Sequence, residues 1–107
     1  MNQERSHIKF ITYYKEFGKG EDKRIMDNIS DTPIQGKNEV LEYLKKGKDA
    51  GVRCSAVHDL VEKFSTGKTI HRYTDEEYIW DDREIYHFEH YNLALDKGFI
   101  EKVLNVE

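Results

Sequence analysis

The stretch Val52–Trp80, VRCSAVHDLVEKFSTGKTIHRYTDEEYIW, decides the fold class of this chain. Val, Thr, Ile, Tyr, Phe and Trp crowd into it, and these side chains suit a pleated, half-buried surface. A run around Val57–Phe64 is followed by Ser65-Thr66-Gly67-Lys68, a turn signal, and then by Thr69–Tyr73, a second run. The two read as a hairpin. Asp75-Glu76-Glu77 marks another turn before Tyr78-Ile79-Trp80. Short connections between three strands imply an antiparallel meander spanning residues 52–80.

Helical patterns flank this sheet. On the C-terminal side, Asp81 or Asp82 can cap a helix running to about Tyr91, with Ile85 and Phe88 on its apolar face. Asp96 can cap a second, whose Phe99, Ile100, Val103 and Leu104 form an amphipathic stripe. On the N-terminal side, Asn38 is placed to cap a helix through Lys46, with Val40, Leu41, Tyr43 and Leu44 inward and Gly47 as its stop. Residues 18–36 read as a charged connection around Ile25-Met26 and Ile29. Residues 7–17 fit two periods. Ile8, Phe10 and Thr12 alternate as in a strand, whereas Phe10, Tyr13, Tyr14 and Phe17 recur at helical spacing, and the longer match favours a helix ended by Gly18 and Gly20. Residues 1–6 are polar and expected to fray. The class is therefore α+β, a single domain with a small antiparallel sheet of about three strands packed between N- and C-terminal helices.

The composition agrees with one compact domain. Leu, Ile, Val and Phe make up 26 of 107 residues, about a quarter, above the level of roughly 20% below which a chain stays disordered. With 36% of residues charged, the aromatics (seven Tyr, five Phe, one Trp) must supply much of the core. No apolar run approaches the ~18 residues of a membrane span, and the N-terminal residues lack the apolar segment of a secretory signal. Cys54 is the only cysteine, which excludes an intramolecular disulfide and a cysteine-based zinc finger. A cytoplasmic location is the expectation.

Charge is distributed unevenly. Residues 1–53 carry 11 Lys/Arg against 9 Asp/Glu, and residues 54–107 carry 6 against 12. Seven acids lie between Asp75 and Glu89 (Asp75, Glu76, Glu77, Asp81, Asp82, Glu84, Glu89), where Arg83 is the only cation. Such a surface repels nucleic acid and attracts a basic protein. Tyr78, Trp80, Tyr86 and Tyr91 interleave with these acids, and Tyr and Trp are favoured anchors at protein interfaces. Tyr78, Trp80, Asp81, Asp82, Glu84, Tyr86 and Tyr91 are thus the candidate partner-binding residues. The competing reading makes the acids first-turn complements of a helix dipole and the rings core.

Other constellations are incomplete. His87 and His90 are three apart and would share a helix face, so with His71 they form a candidate zinc site, although no cofactor is required by the sequence. The H-E-x-x-H spacing is absent. Cys54 and His58, if extended, stand about 13 Å apart along a strand, too far for a nucleophile and its base. Ser65-Thr66-Gly67-Lys68-Thr69 lacks the first glycine of a phosphate loop, which would fall at Glu62.

Several elements of the chain resemble a group of small, uncharacterised bacterial single-domain proteins. The resemblance rests on Tyr43-Leu44-Lys45-Lys46-Gly47-Lys48, Ser65-Thr66-Gly67, Thr74-Asp75-Glu76-Glu77-Tyr78-Ile79-Trp80, Tyr86-His87-Phe88-Glu89-His90-Tyr91-Asn92 and Phe99-Ile100-Glu101-Lys102-Val103. These motifs punctuate structure, and the group carries no established activity, so the resemblance implies an arrangement of elements and no reaction. Glu76 stands where the pattern has a turn glycine, Leu95-Asp96 lacks its proline, and His87 replaces a tyrosine. By analogy of size and acidity, the expected role is that of a non-enzymatic immunity or antitoxin-like inhibitor of a basic protein such as a toxin. The alternatives are a His-based metal-binding protein or metal-dependent hydrolase, and a subunit that forms homodimers or larger oligomers through its tyrosine face.

Overall fold

A computed structural model of the chain describes residues 8–20 and 22–105. Its class is α+β, with a four-stranded mixed sheet. The chain runs through β1 (Lys9–Phe10), 3₁₀ turns at Lys15–Phe17 and Ile25–Asp27, and α1 (Lys37–Lys45). It continues through β2 (Lys48–Asp59), β3 (Phe64–Thr74), β4 (Tyr78–Asp81), α2 (Asp82–Tyr91) and α3 (Lys97–Leu104). The strand order is β1-β4-β3-β2. The β2–β3–β4 meander is antiparallel as expected, and β1 adds a short parallel strand against β4.

That fourth strand corrects the helix expected over residues 7–17; residues 1–7 lie outside the described residues. Lys9 N–H donates to Glu77 O, and Phe10 pairs with Ile79. The helical stripe fails because its members part company: Phe10 and Tyr13 stay largely exposed, while Tyr14 and Phe17 are buried. The buried pair joins Ile25 and Leu93 in a small cluster, and Ile11 enters the main core. On a helix Ile11 and Tyr14, three residues apart, would share one face; here they enter different clusters.

The hairpin turn is also displaced. It falls at residues 60–63, not at Ser65–Lys68. Asp59 makes it: its Oδ1 accepts from Val61 N and Glu62 N at 2.9 and 2.7 Å, and its carbonyl accepts from Lys63 N. This is the side-chain-to-backbone geometry that lets Asp open a turn without glycine. Ser65 and Thr66 still form local turn-like bonds, with Ser65 Oγ accepting from Gly67 N and Thr66 Oγ1 from Lys68 N. They produce an irregularity inside β3, where the pairing shifts between Ala56↔Thr69 and His58↔Ser65.

The main core gathers Ile11, Val40, Leu44, Tyr78, Trp80, Ile85, Phe88 and Phe99. Trp80 Nε1 donates to Leu44 O at 3.0 Å, tying β4 to the last turn of α1. Gly47 follows that turn against the indole, where a Cβ would lie 2.7 Å from Trp80 Cζ2. Helix α1 starts one residue before the expected Asn38 cap, after Gly36 at φ 86°. Among the described residues no helix is long and apolar enough to cross a membrane.

Candidate functional site

The acidic, tyrosine-rich stretch divides at the start of α2. Tyr78, Trp80, Asp81 and Glu84 turn inward, with exposures between 0 and 4%. As folded, these four cannot anchor a partner. Tyr78 and Trp80 pack on Phe99, at ring separations of 5.1 and 5.5 Å. Asp81 and Glu84 form the reciprocal cap of α2: Asp81 Oδ1 accepts from Arg83 N, and Glu84 Oε1 accepts from Asp81 N, each at 2.8 Å. The helix-cap reading of these acids is the one their geometry follows.

Their charges are neutralised inside the molecule. Arg83 grips Asp81, with Nη2 2.8 Å from Oδ2, and Lys19 Nζ lies 2.8 Å from Glu84 Oε2. Thr12 Oγ1 also donates to that oxygen. Burial works against ionisation of Asp81, but Arg83 and Lys19 outweigh it and hold its pKa below the usual range. For Glu84 burial wins over Lys19 and the pKa is raised.

Asp82, Tyr86 and Tyr91 remain half-exposed. Asp82 Oδ2 accepts from His71 N at 2.8 Å and Oδ1 from Tyr73 Oη at 3.1 Å, which fastens α2 to β3. Tyr86 and Tyr91 both donate to Asp59 Oδ2, at 2.6 and 2.5 Å. Burial raises the Tyr86 phenol to about 12, helped by Asp59, and the bond to Asp59 raises Tyr91 further. Asp59 is the residue that sequence reasoning missed. No glycine or proline marks its turn, and its tyrosine partners lie 27 and 32 residues away.

The three histidines of the candidate zinc site are not brought together. His87 is fully buried and both ring nitrogens are committed, Nδ1 to Arg83 O at 2.7 Å and Nε2 to Leu60 N at 3.0 Å. A carbonyl partner requires the proton on Nδ1, so Nε2 is the acceptor. His90 stacks on Tyr86 with ring centroids 4.3 Å apart, and His71 sits on exposed β3. Among the described residues no three His, Cys, Asp or Glu side chains are grouped to hold a metal ion.

Of Asp82, Tyr86 and Tyr91, the first two share a groove between α2 and the hairpin, about 460 Å³ in volume. Asp82, Tyr86 and Glu89 form its helical wall, and Lys68, Thr69 and His71 face them from β3. Asp82 and Tyr86 are held in place by the bonds just described, whereas Glu89 is exposed. Each carboxylate offers about four acceptor positions, and Asp82 uses two of them within the chain. Tyr91 lies outside this groove, beside Asn92 and Ser30. No protein-family model matches the chain, and no curated protein or solved structure shows significant similarity to it.

Proposed function

We propose that the chain is a non-enzymatic binding domain of the immunity or antitoxin kind, which takes a cationic side chain of a basic protein into the groove between α2 and the hairpin. The observation that carries this reading is the wall of Asp82, Tyr86 and Glu89, two carboxylates flanking a phenol on one open surface. Carboxylates steer and orient a basic partner, and an aromatic ring supplies buried area with few rotors. A second observation supports binding over catalysis. Among the described residues the buried carboxyl and imidazole groups of Asp59, Asp81, Glu84 and His87 are each engaged in capping, turn or long-range bonds within the chain.

The test uses the full chain as bait in its native host, followed by association kinetics with the recovered protein. Glu89 is exposed and its ion pair with Lys45 is long, at 3.6 Å, so Glu89→Lys should leave the fold intact. The expected result is association slowed about tenfold at low salt, with a flatter salt dependence. An unchanged rate constant in this variant would refute the assignment.

A further inference from the structure

His71 and Arg72 are neighbours in β3 and point to opposite faces of the sheet. His71 borders the groove already described, and Arg72 lines a second one, about 280 Å³ in volume, on the other face. Phe10, Lys19, Arg53, Asp81 and Arg83 also line it. Two of its four cations are matched internally, Arg83 by Asp81 and Lys19 by Glu84. Among the described residues Arg53 and Arg72 stand outside these pairs. The groove therefore carries a surplus of two positive charges on a chain whose net charge is −4.

The sheet register brings the two unmatched arginines together. Arg53 pairs with Ile70 and Gly51 with Arg72, so Arg53 and Arg72 occupy diagonal positions on one face, roughly 7–8 Å apart. Two guanidinium forks at that spacing can converge on carboxylates carried by one extended segment. An apolar floor adjoins them: Phe10 is 39% exposed and pairs across the sheet with Ile79, which also lines the groove. Lys19 sits 5.0 Å over the Phe10 ring and Arg83 5.0 Å over Phe17, so these cations brace the floor.

We infer that this groove binds an acidic peptide segment of a protein partner, with carboxylates on Arg53 and Arg72 and a neighbouring apolar side chain on Phe10 and Ile79. Its volume falls below the ~300 Å³ where enclosed small-molecule pockets begin, and it is open. The chain's net negative charge disfavours a polyanion such as nucleic acid. The inference does not depend on the groove beside α2, which lies on the opposite face.

The experiment is a heteronuclear NMR titration of the full chain with three probes: acetyl-Glu-Asp-Phe-Glu-amide, its Gln-Asn-Phe-Gln counterpart, and inorganic phosphate. The expected result is saturable shifts of the Arg53 and Arg72 Nε–H signals and of the Phe10 and Ile79 amides with the acidic peptide only. Arg53→Gln and Arg72→Gln should each weaken it about tenfold, since a charge-assisted hydrogen bond is lost. Both arginines are exposed, and Trp80 fluorescence verifies that each variant is folded. Equal binding of the neutral peptide, shifts that ignore both substitutions, or phosphate matching the acidic peptide would each overturn the assignment; the last would make this a simple anion site.

Discussion

Lys19 and Glu84, 65 residues apart in the chain, meet at 2.8 Å in a place where the lysine side chain is 10% exposed and the glutamate not at all. Through this contact the N-terminal segment closes over the cap of α2. The same carboxylate receives the Thr12 hydroxyl and the Asp81 amide, so one side chain joins three parts of the chain.

Lys19→Met is expected to destabilise the protein by about 3 kcal/mol, because it strands a buried carboxylate. The deficit should shrink as pH falls from 7 towards 5. Glu84 already has a raised pKa, and a carboxyl that binds its proton more tightly in the folded state favours folding as pH falls. Urea unfolding at several pH values checks both the size and the sign.

Asp59 behaves in the opposite sense. Burial alone would raise its pKa, but the Glu62 and Val61 amides and the Tyr86 and Tyr91 hydroxyls hold it at about 2. A depressed carboxylate contributes stability that is present above its unfolded pKa, near 4, and is lost as pH falls towards 2. Asp59→Ala should cost about 2–3 kcal/mol at neutral pH by leaving two amides and two phenols without their acceptor. It should also flatten the acid limb of the stability curve, which thermal unfolding between pH 2 and 5 would reveal.

His87 is expected to stay neutral, with its proton on Nδ1, at pH values where an exposed histidine is already charged. Burial lowers its pKa, and the bond to the Arg83 carbonyl only partly offsets this. Its contribution is complete above the unfolded value of about 6.5 and declines as pH falls below it, since only the unfolded chain then takes up the proton. Imidazole ¹⁵N shifts recorded from pH 7 to 5 test the tautomer and the charge together; an imidazolium signal appearing near pH 6.5 would contradict the burial argument.

Lys63 and Glu76 both adopt positive φ, 66° and 79°, at the two turns of the meander. Lys63→Gly should stabilise the protein by about 0.5–1 kcal/mol, because glycine reaches this conformation without a Cβ penalty. Glu76→Gly should act in the same direction, since the ion pair it gives up with Lys48 is fully on the surface. Midpoints of chemical unfolding report both.

The elements closest to local chemistry were legible in the chain. Asp81 and Asp96 start α2 and α3 as their capping chemistry implies, and the meander overlaps the β-rich stretch, although β2 begins four residues before it, at Lys48, and β4 runs one residue past it, to Asp81. Where two local signals competed, tertiary contacts chose between them. The turn went to Asp59 because Tyr86 and Tyr91 anchor that carboxylate from α2, and Ser65–Lys68 was left as an irregularity within β3. The segment after Ile8 became a strand because β4 offered it an edge to pair with.

The α+β class, the starts of α2 and α3 and the concentration of acids between Asp75 and Glu89 follow from local chemistry, since caps, periodicity and charge are properties of near neighbours. Which of those acids face solvent depends on contacts between distant segments. Asp81 and Glu84 go inward because Lys19, Thr12 and Arg83 neutralise and bond them there, and Asp82 and Glu89 line a groove because α2 lies beside the hairpin. Burying a carboxylate is tolerable only beside a partner, and the partners Thr12 and Lys19 come from a segment more than sixty residues distant.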